Sequence, residues 1–382
     1  MSPLLILGLF EFARNALVLV FLPLYGQYTA HFDLNVIGTA ISLQYVSDNL
    51  FRLPSGWLAD HLGGKRLIGA GIIISLTGLS VIFMIHSEVS LMLGSILFGL
   101  GIAPVWPTVV SGIAVSNPSN QIGEALSKVY IAWLTGAGLG PIILYYIMGR
   151  SGQMAFETLL GVLLFTMLVL LVVKMPRRRQ SETQSGLNYL KELTAELWSV
   201  KIIFPGMFLQ TTAIGILMPI IAIFAQSVIG LNSAQLAYYL IGIGTVLIGL
   251  LIPAGKLADR FGCKPVLIVG LIMAAAGMLF LPARRTVSHA LMAGMIIGIG
   301  YAFIFPAWNS LMARVITPQK QGMMWAVFMC IEGLGTAAGS FIGGHMWTHC
   351  GYQVPFQISA LVLAIMAIFY VTGNVDRLLK PH

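Results

Sequence analysis

Pro54-Ser-Gly-Trp-Leu-Ala-Asp60-His-Leu-Gly-Gly-Lys65 is met again about half a chain later as Pro253-Ala-Gly-Lys-Leu-Ala-Asp259-Arg-Phe-Gly-Cys-Lys264. The two stretches share the proline, the leucine-alanine-aspartate core, two glycines and the closing lysine in the same register. Each ends a long apolar run and is expected to open a short charged turn. A half-chain repeat of this kind describes two similar bundles in one polypeptide. Outward from the motif the halves continue to match: Pro104-Val-Trp106-Pro is echoed by Pro306-Ala-Trp308-Asn.

The 382 residues are 58% hydrophobic and 9% charged, with a mean hydropathy of +0.90. A water-soluble domain carries about 25% charged residues, so this chain is solvated by lipid. A spanning helix needs about 20 mostly apolar residues. Twelve such stretches are read: 3–28, 36–58, 66–86, 89–114, 124–148, 153–174, 202–228, 234–258, 265–283, 289–312, 321–347 and 354–373. Lipid offers the backbone no hydrogen-bond partner, and the runs are too long for barrel strands, so they are helices. The fold class expected is all-α and integral to the membrane, with twelve transmembrane helices in two six-helix pseudo-symmetric bundles. The 42 glycines fit helices that approach closely in a bilayer. The first run carries Glu11 and Arg14 and is too long for a cleavable signal peptide, so it is read as the first span.

The net charge of +8 does not indicate nucleic acid. With both termini cytoplasmic, most of the 21 basic residues fall at inner loops and span ends, including Lys65, Lys256, Arg260, Lys264 and Arg314. Only Arg150, Arg284 and Arg285 fall outside, and Arg14 and Arg52 fall within spans. This is the positive-inside pattern of a multi-pass protein of a cell membrane. Cys263, Cys330 and Cys350 show no metal or disulfide spacing. No metal, cofactor or nucleotide-binding loop is indicated. The domains expected are a first bundle over 1–174, a cytoplasmic linker over 175–201 and a second bundle over 202–382. The linker begins Pro176-Arg-Arg-Arg179, and Leu187, Leu190, Leu193 and Leu197 then recur at near-helical spacing. It is read as an amphipathic helix on the inner membrane surface.

Five charges fall deep in the spans: Glu11, Arg14, Asp48, Arg52 and Glu332. Each costs about 2.5–3.5 kcal/mol at the bilayer centre, so such residues pair, line water or work. Glu11 and Arg14 are three apart, and Asp48 and Arg52 four apart, so each pair shares a helix face. Gln44, Tyr45 and Asn49 add polarity beside them. A structural ion-pair network and a polar cavity for a headgroup and protons both fit, the second better. In the second half, Phe208–Met218 and Tyr238–Leu251 are almost uncharged, and Glu332 is the exception. A cavity polar on one side and oily on the other suits an amphiphile. Trp106, Trp133 and Trp308 lie mid-span, where buried packing and stacking on a sugar ring are the two readings. Gly136-Ala-Gly-Leu-Gly140-Pro141 is expected to make span five flexible or kinked.

Six plus six helices with G-x-L-A-D-x-x-G-x-K after the second span of each half resemble the major facilitator superfamily over the whole chain. The resemblance implies a conformational latch made by Gly56, Asp60, Lys65, Gly255, Asp259, Arg260 and Lys264. Phe10-Glu11-Phe-Ala-Arg14, Asp48, Pro104-Val-Trp106, Val129-Tyr-Ile-Ala-Trp133, Phe204–Gln210 and Pro306–Arg314 together resemble the LtaA lipoteichoic-acid glycolipid flippases. That likeness implies proton-antiport flipping of a diglucosyl-diacylglycerol lipid to the outer leaflet of a bacterial membrane. It also implies a substrate and proton site at Glu11, Arg14, Asp48, Trp106 and Trp133, with lipid tails in the apolar half. Arg52 and Glu332 join that site on their intramembrane charge. Glu332 departs from the family pattern, which carries a glutamine there. The partners implied are a glycolipid or other amphiphile, protons, membrane lipid and other cell-envelope synthesis proteins. A proton-coupled exporter of drugs or small metabolites is the alternative on the same fold. A lipid-modifying enzyme is disfavoured, because no His and carboxylate cluster is present. A sensor that binds lipid without moving it is the remaining class.

Overall fold

A computed structural model describes residues 3–116, 122–173, 203–283, 285–315 and 321–372. Among these residues twelve spanning helices run in order. They are α1 (Pro3–Thr29), α2 (Leu34–Leu62), α3 (Gly64–Met84), α4 (88–116), α5 (Ile122–Met148), α6 (Gly152–Val172), α7 (Phe204–Val228), α8 (Ser233–Phe261), α9 (Cys263–Phe280), α10 (Val287–Val315), α11 (Gln321–Cys350) and α12 (Val354–Thr372). Eleven are apolar and long enough to cross a bilayer on composition alone. The remaining one, α2, is 29 residues long but carries Asp48, Arg52 and the charged end of the repeat motif. The chain is a multi-pass membrane protein. The expected linker, 175–201, lies outside the described residues.

The chain divides into two compact units, Met1–Gly186 and Leu187–His382. Inside the first, α1 packs on α5 and α6, α3 packs on α4 and α6, and α2 packs on α4. Inside the second, α7 packs on α11 and α12, α9 on α10 and α12, and α8 on α10. Adding six to each helix number turns one set into the other, so the sequence repeat is a repeat of packing.

Small residues set how close the helices come. A Cβ at Gly136 or Gly140 would run into the Gly8 and Phe12 carbonyls of α1. In the second unit a Cβ at Gly335, Gly339 or Gly343 would run into the Phe208, Thr212 and Ile216 carbonyls of α7. Both crossings are glycine ladders with a four-residue step, the spacing at which one helix face returns. The glycine-proline stretch of α5 is thus a contact surface, and α5 continues as helix through Pro141. Proline marks the breaks elsewhere: α4 interrupts between Ile102 and Val105 at Pro104, and α7 between Leu217 and Ile221 at Pro219. Neither proline has an N–H to continue the ladder.

The repeated motif is mostly helix, where a charged turn was expected. Helix α2 runs to Leu62 and α8 to Phe261, and the turn shrinks to one residue in each, Gly63 (φ 86°) and Gly262 (φ 92°). Side chains with a Cβ rarely accept that conformation, so a glycine lets α3 and α9 start one residue later.

Candidate functional site

The intramembrane charges of the first unit form one connected chain of contacts. Asp48 on α2 is fully buried and faces two guanidinium groups. Arg52, one turn further along, gives Nη2 to both carboxylate oxygens, at 3.0 and 2.8 Å. Arg14 on α1 reaches Asp48 with its Nη2 at 3.2 Å and Glu11 with its Nη1 at 3.6 Å. Arg14 therefore bridges two carboxylates on two helices, while Arg52 serves Asp48. Two acids and two bases sum to zero charge, which lessens the cost of burying each.

The other groups in contact with these charges are neutral. Trp106 of α4 donates its indole Nε1–H to Glu11 Oε1 at 2.9 Å, and Asn15 donates Nδ2–H to Glu11 Oε2 at 3.1 Å. The Arg14 guanidinium lies 4.6 Å from the ring centre of Tyr45, close enough for a cation–π contact. The Gln44 side chain is fully buried, and neither its amide nitrogen nor its amide oxygen is hydrogen-bonded within the described protein. It lies one turn before Asp48 on the same helix.

Glu11, Arg14, Asp48, Arg52 and Trp106, all named from sequence, thus meet. Trp133 stands one step away: its ring meets Tyr130 edge-on at 6.5 Å, and Tyr130 meets Trp106 at 6.2 Å. Trp106 is 8% exposed. Of its two readings the structure favours packing, because its ring is covered and its N–H is engaged. Trp133 is half-buried and retains the open reading. Sequence reasoning passed over Asn15, although it is four residues from Glu11, and Tyr130, which lies between the two tryptophans.

Glu332 belongs to the other unit. There Trp308 donates its indole N–H to Glu332 Oε1 at 3.1 Å. The residues of the expected latch divide differently. Lys65 donates Nζ–H to the Leu171 and Val173 carbonyls at 2.8 and 3.3 Å, capping the C-terminal end of α6. Asp259 is exposed at the last turn of α8 and makes no ion pair among the described residues. Arg260 lies 5.3 Å from the ring centre of Phe261, and Lys264 is half-buried. A Cβ at Gly56 would meet nothing within 4 Å, and one at Gly255 would lie 3.9 Å from Pro306. The Asp60 side chain lies outside the described part of the structure.

Comparison with known proteins completes the description. The family model described as Major Facilitator Superfamily matches residues 4–252 and 203–380. Over 377 residues the chain is 28% identical to a protein of Staphylococcus saprophyticus named proton-coupled antiporter flippase LtaA, covering 96% of this chain and 92% of that one. A Staphylococcus aureus protein of the same name is 27% identical over 376 residues, with the same coverage. Among solved structures, a bacterial homologue of the human lysosomal transporter Spinster superposes with a TM-score of 0.80 at 15% identity, over 98% of this chain and 95% of that one. A mutant form of the nucleoside transporter NupG superposes with a TM-score of 0.75 at 18% identity, over 99% of both chains. At these identities the superpositions establish the fold alone.

Proposed function

The chain belongs to the Major Facilitator Superfamily, and on that premise we propose that it is a proton-coupled flippase for a glycolipid of the diglucosyl-diacylglycerol type. It would carry the headgroup from the inner to the outer leaflet by alternating access. The observation that carries this reading is the buried network of Glu11, Arg14, Asp48 and Arg52 in one unit. In the second unit, the stretches Phe208–Met218 and Tyr238–Leu251 carry no charge. The name borne by the relatives at 27–28% identity supports the same reading.

The chemistry follows from the contacts. Asp48 occupies N–H groups of both arginines. Its ionised carboxylate still has lone pairs to accept from sugar hydroxyls, and a proton arriving on Asp48 neutralises that acceptor. The proton thereby releases the headgroup, and its loss restores the carboxylate that takes up the next one. Proton and headgroup thus compete for one set of contacts, which is the requirement for antiport. Gln44, with donor and acceptor both available, and the half-buried Trp133 supply further contacts for a hydroxyl-bearing guest.

The test is leaflet flipping of a labelled diglucosyl lipid by the purified protein in proteoliposomes, with proton gradients of either sign. Gradient-dependent flipping that disappears in Asp48→Asn is expected. Absence of flipping under either gradient, beside an active flippase control, would transfer the assignment to export of drugs or small metabolites.

A further inference from the structure

The tryptophan of the repeated Pro-x-Trp element makes the same bond in both units. Trp106 Nε1 lies 2.9 Å from Glu11 Oε1, and Trp308 Nε1 lies 3.1 Å from Glu332 Oε1. The two glutamates do not correspond. Glu11 comes from α1, whose counterpart is α7, whereas Glu332 comes from α11, the counterpart of α5. A tryptophan–carboxylate pair is therefore built twice at one position of the repeat, with the acid supplied by different helices.

In the second unit the indole is immobilised. Trp308 is 3% exposed, meets Tyr370 edge-on at 6.3 Å, and has its ring against the open side of Gly206. It cannot offer its face to a ligand. Its N–H fixes one oxygen of Glu332, which is itself half-buried and so within reach of a guest. A carboxylate in a spanning helix costs about 2.5–3.5 kcal/mol, and packing against Trp308 needs no charge. A carboxylate accepts several hydrogen bonds at once, and adjacent sugar hydroxyls are donors that match it.

We propose that Glu332 is a second headgroup contact, carried by the unit assigned to the lipid tails. Trp308 is its positioning residue, and the ligand class is a lipid with a polyhydroxylated headgroup. The inference rests on the glycolipid reading above and adds to it that the apolar unit also recognises sugar.

Equilibrium binding to the full chain in lipid nanodiscs tests it, with a labelled diglucosyl-diacylglycerol and the same diacylglycerol lacking sugars. The wild type is expected to prefer the glycosylated lipid. Glu332→Ala should weaken binding of that lipid about tenfold, the loss of one charge-assisted hydrogen bond, and leave the sugar-free lipid unchanged. Glu332→Gln keeps an acceptor oxygen and should stay within about threefold of wild type. Trp308→Phe keeps the ring, removes the N–H, and should fall between them. This variant also reads the contact if Glu332→Ala does not fold. Equal binding by wild type and Glu332→Ala would overturn the contact, as would equal losses for both lipids or a Gln variant as weak as the Ala variant. A wild type that does not discriminate between the two lipids would overturn the glycolipid reading, and this inference with it.

Discussion

Asp48 answers to two guanidinium groups, so its substitution separates a structural network from a transport site. Asp48→Asn leaves Arg14 and Arg52 buried beside a neutral amide, and breaking a buried pair costs about 3–5 kcal/mol. A lowered Tm is therefore expected together with loss of flipping. Adding Arg52→Gln removes one positive charge and restores neutrality. The double variant should recover at least half of the lost thermal stability while flipping stays at background. Recovery of both would mean that the network only holds α1 to α2. Arg14→Ala, which removes the ion pair between α1 and α2, should insert into the membrane and not transport. The spacing of Glu11 to Arg14 and of Asp48 to Arg52 was legible because one helix turn fixes it. The cross-links were not. Trp106 reaches Glu11 across 95 residues, and that depends on which face α4 turns to α1, a matter of packing. Glu332 was legible as a lone charge, and its tie to Trp308 was not.

Among the elements, the glycine ladders give the sharpest contrast. Gly140→Ala and Gly339→Ala each place a methyl group against a carbonyl of the facing helix, Phe12 and Thr212 respectively. Overpacking of this kind costs about 1–3 kcal/mol, and both variants should melt earlier in detergent. Gly138, between the α5 ladder glycines, has nothing within 4 Å of a built Cβ. Gly138→Ala should match or exceed wild-type stability, by up to about 1 kcal/mol from helix propensity. Equal melting of Gly138→Ala and Gly140→Ala would show that these glycines serve flexibility and not contact. The same geometry explains why span five read as a hinge: sequence shows the glycines but not the helix they meet. The repeat motif was misread in a related way. Its charged residues suggested a turn, but a polar residue on the last turn of a helix is as well solvated as one in a loop. The conformation was decided by Gly63 and Gly262 alone. Lys65 illustrates what remained hidden, since its partners are main-chain carbonyls of α6 more than a hundred residues away. Lys65→Ala should speed amide exchange in the last turn of α6 and leave that of α12, its counterpart in the second unit, unchanged.

At the scale of the molecule, the repeat made the two six-helix units legible, and the helix-by-helix correspondence of contacts carries that further. Orientation in the membrane is a separate matter, because it rests on charge and not on packing. We propose that both termini are cytoplasmic, since Lys65 and Lys264 then fall inside, as basic residues in short loops prefer. The native cysteines report on this directly. In that orientation odd-numbered helices run outward, so Cys350, the last residue of α11, emerges on the outer face. Cys350 is exposed, whereas Cys263 at the inner end of α9 is 2% exposed and Cys330 in mid-span is 8% exposed. No other cysteine is present. A membrane-impermeant maleimide added to intact cells should therefore label the chain once, and Cys350→Ser should abolish the signal. Labelling that requires permeabilised cells, and is still lost in Cys350→Ser, would place α11 in the opposite direction. It would then reverse the sense in which a proton gradient drives the headgroup across.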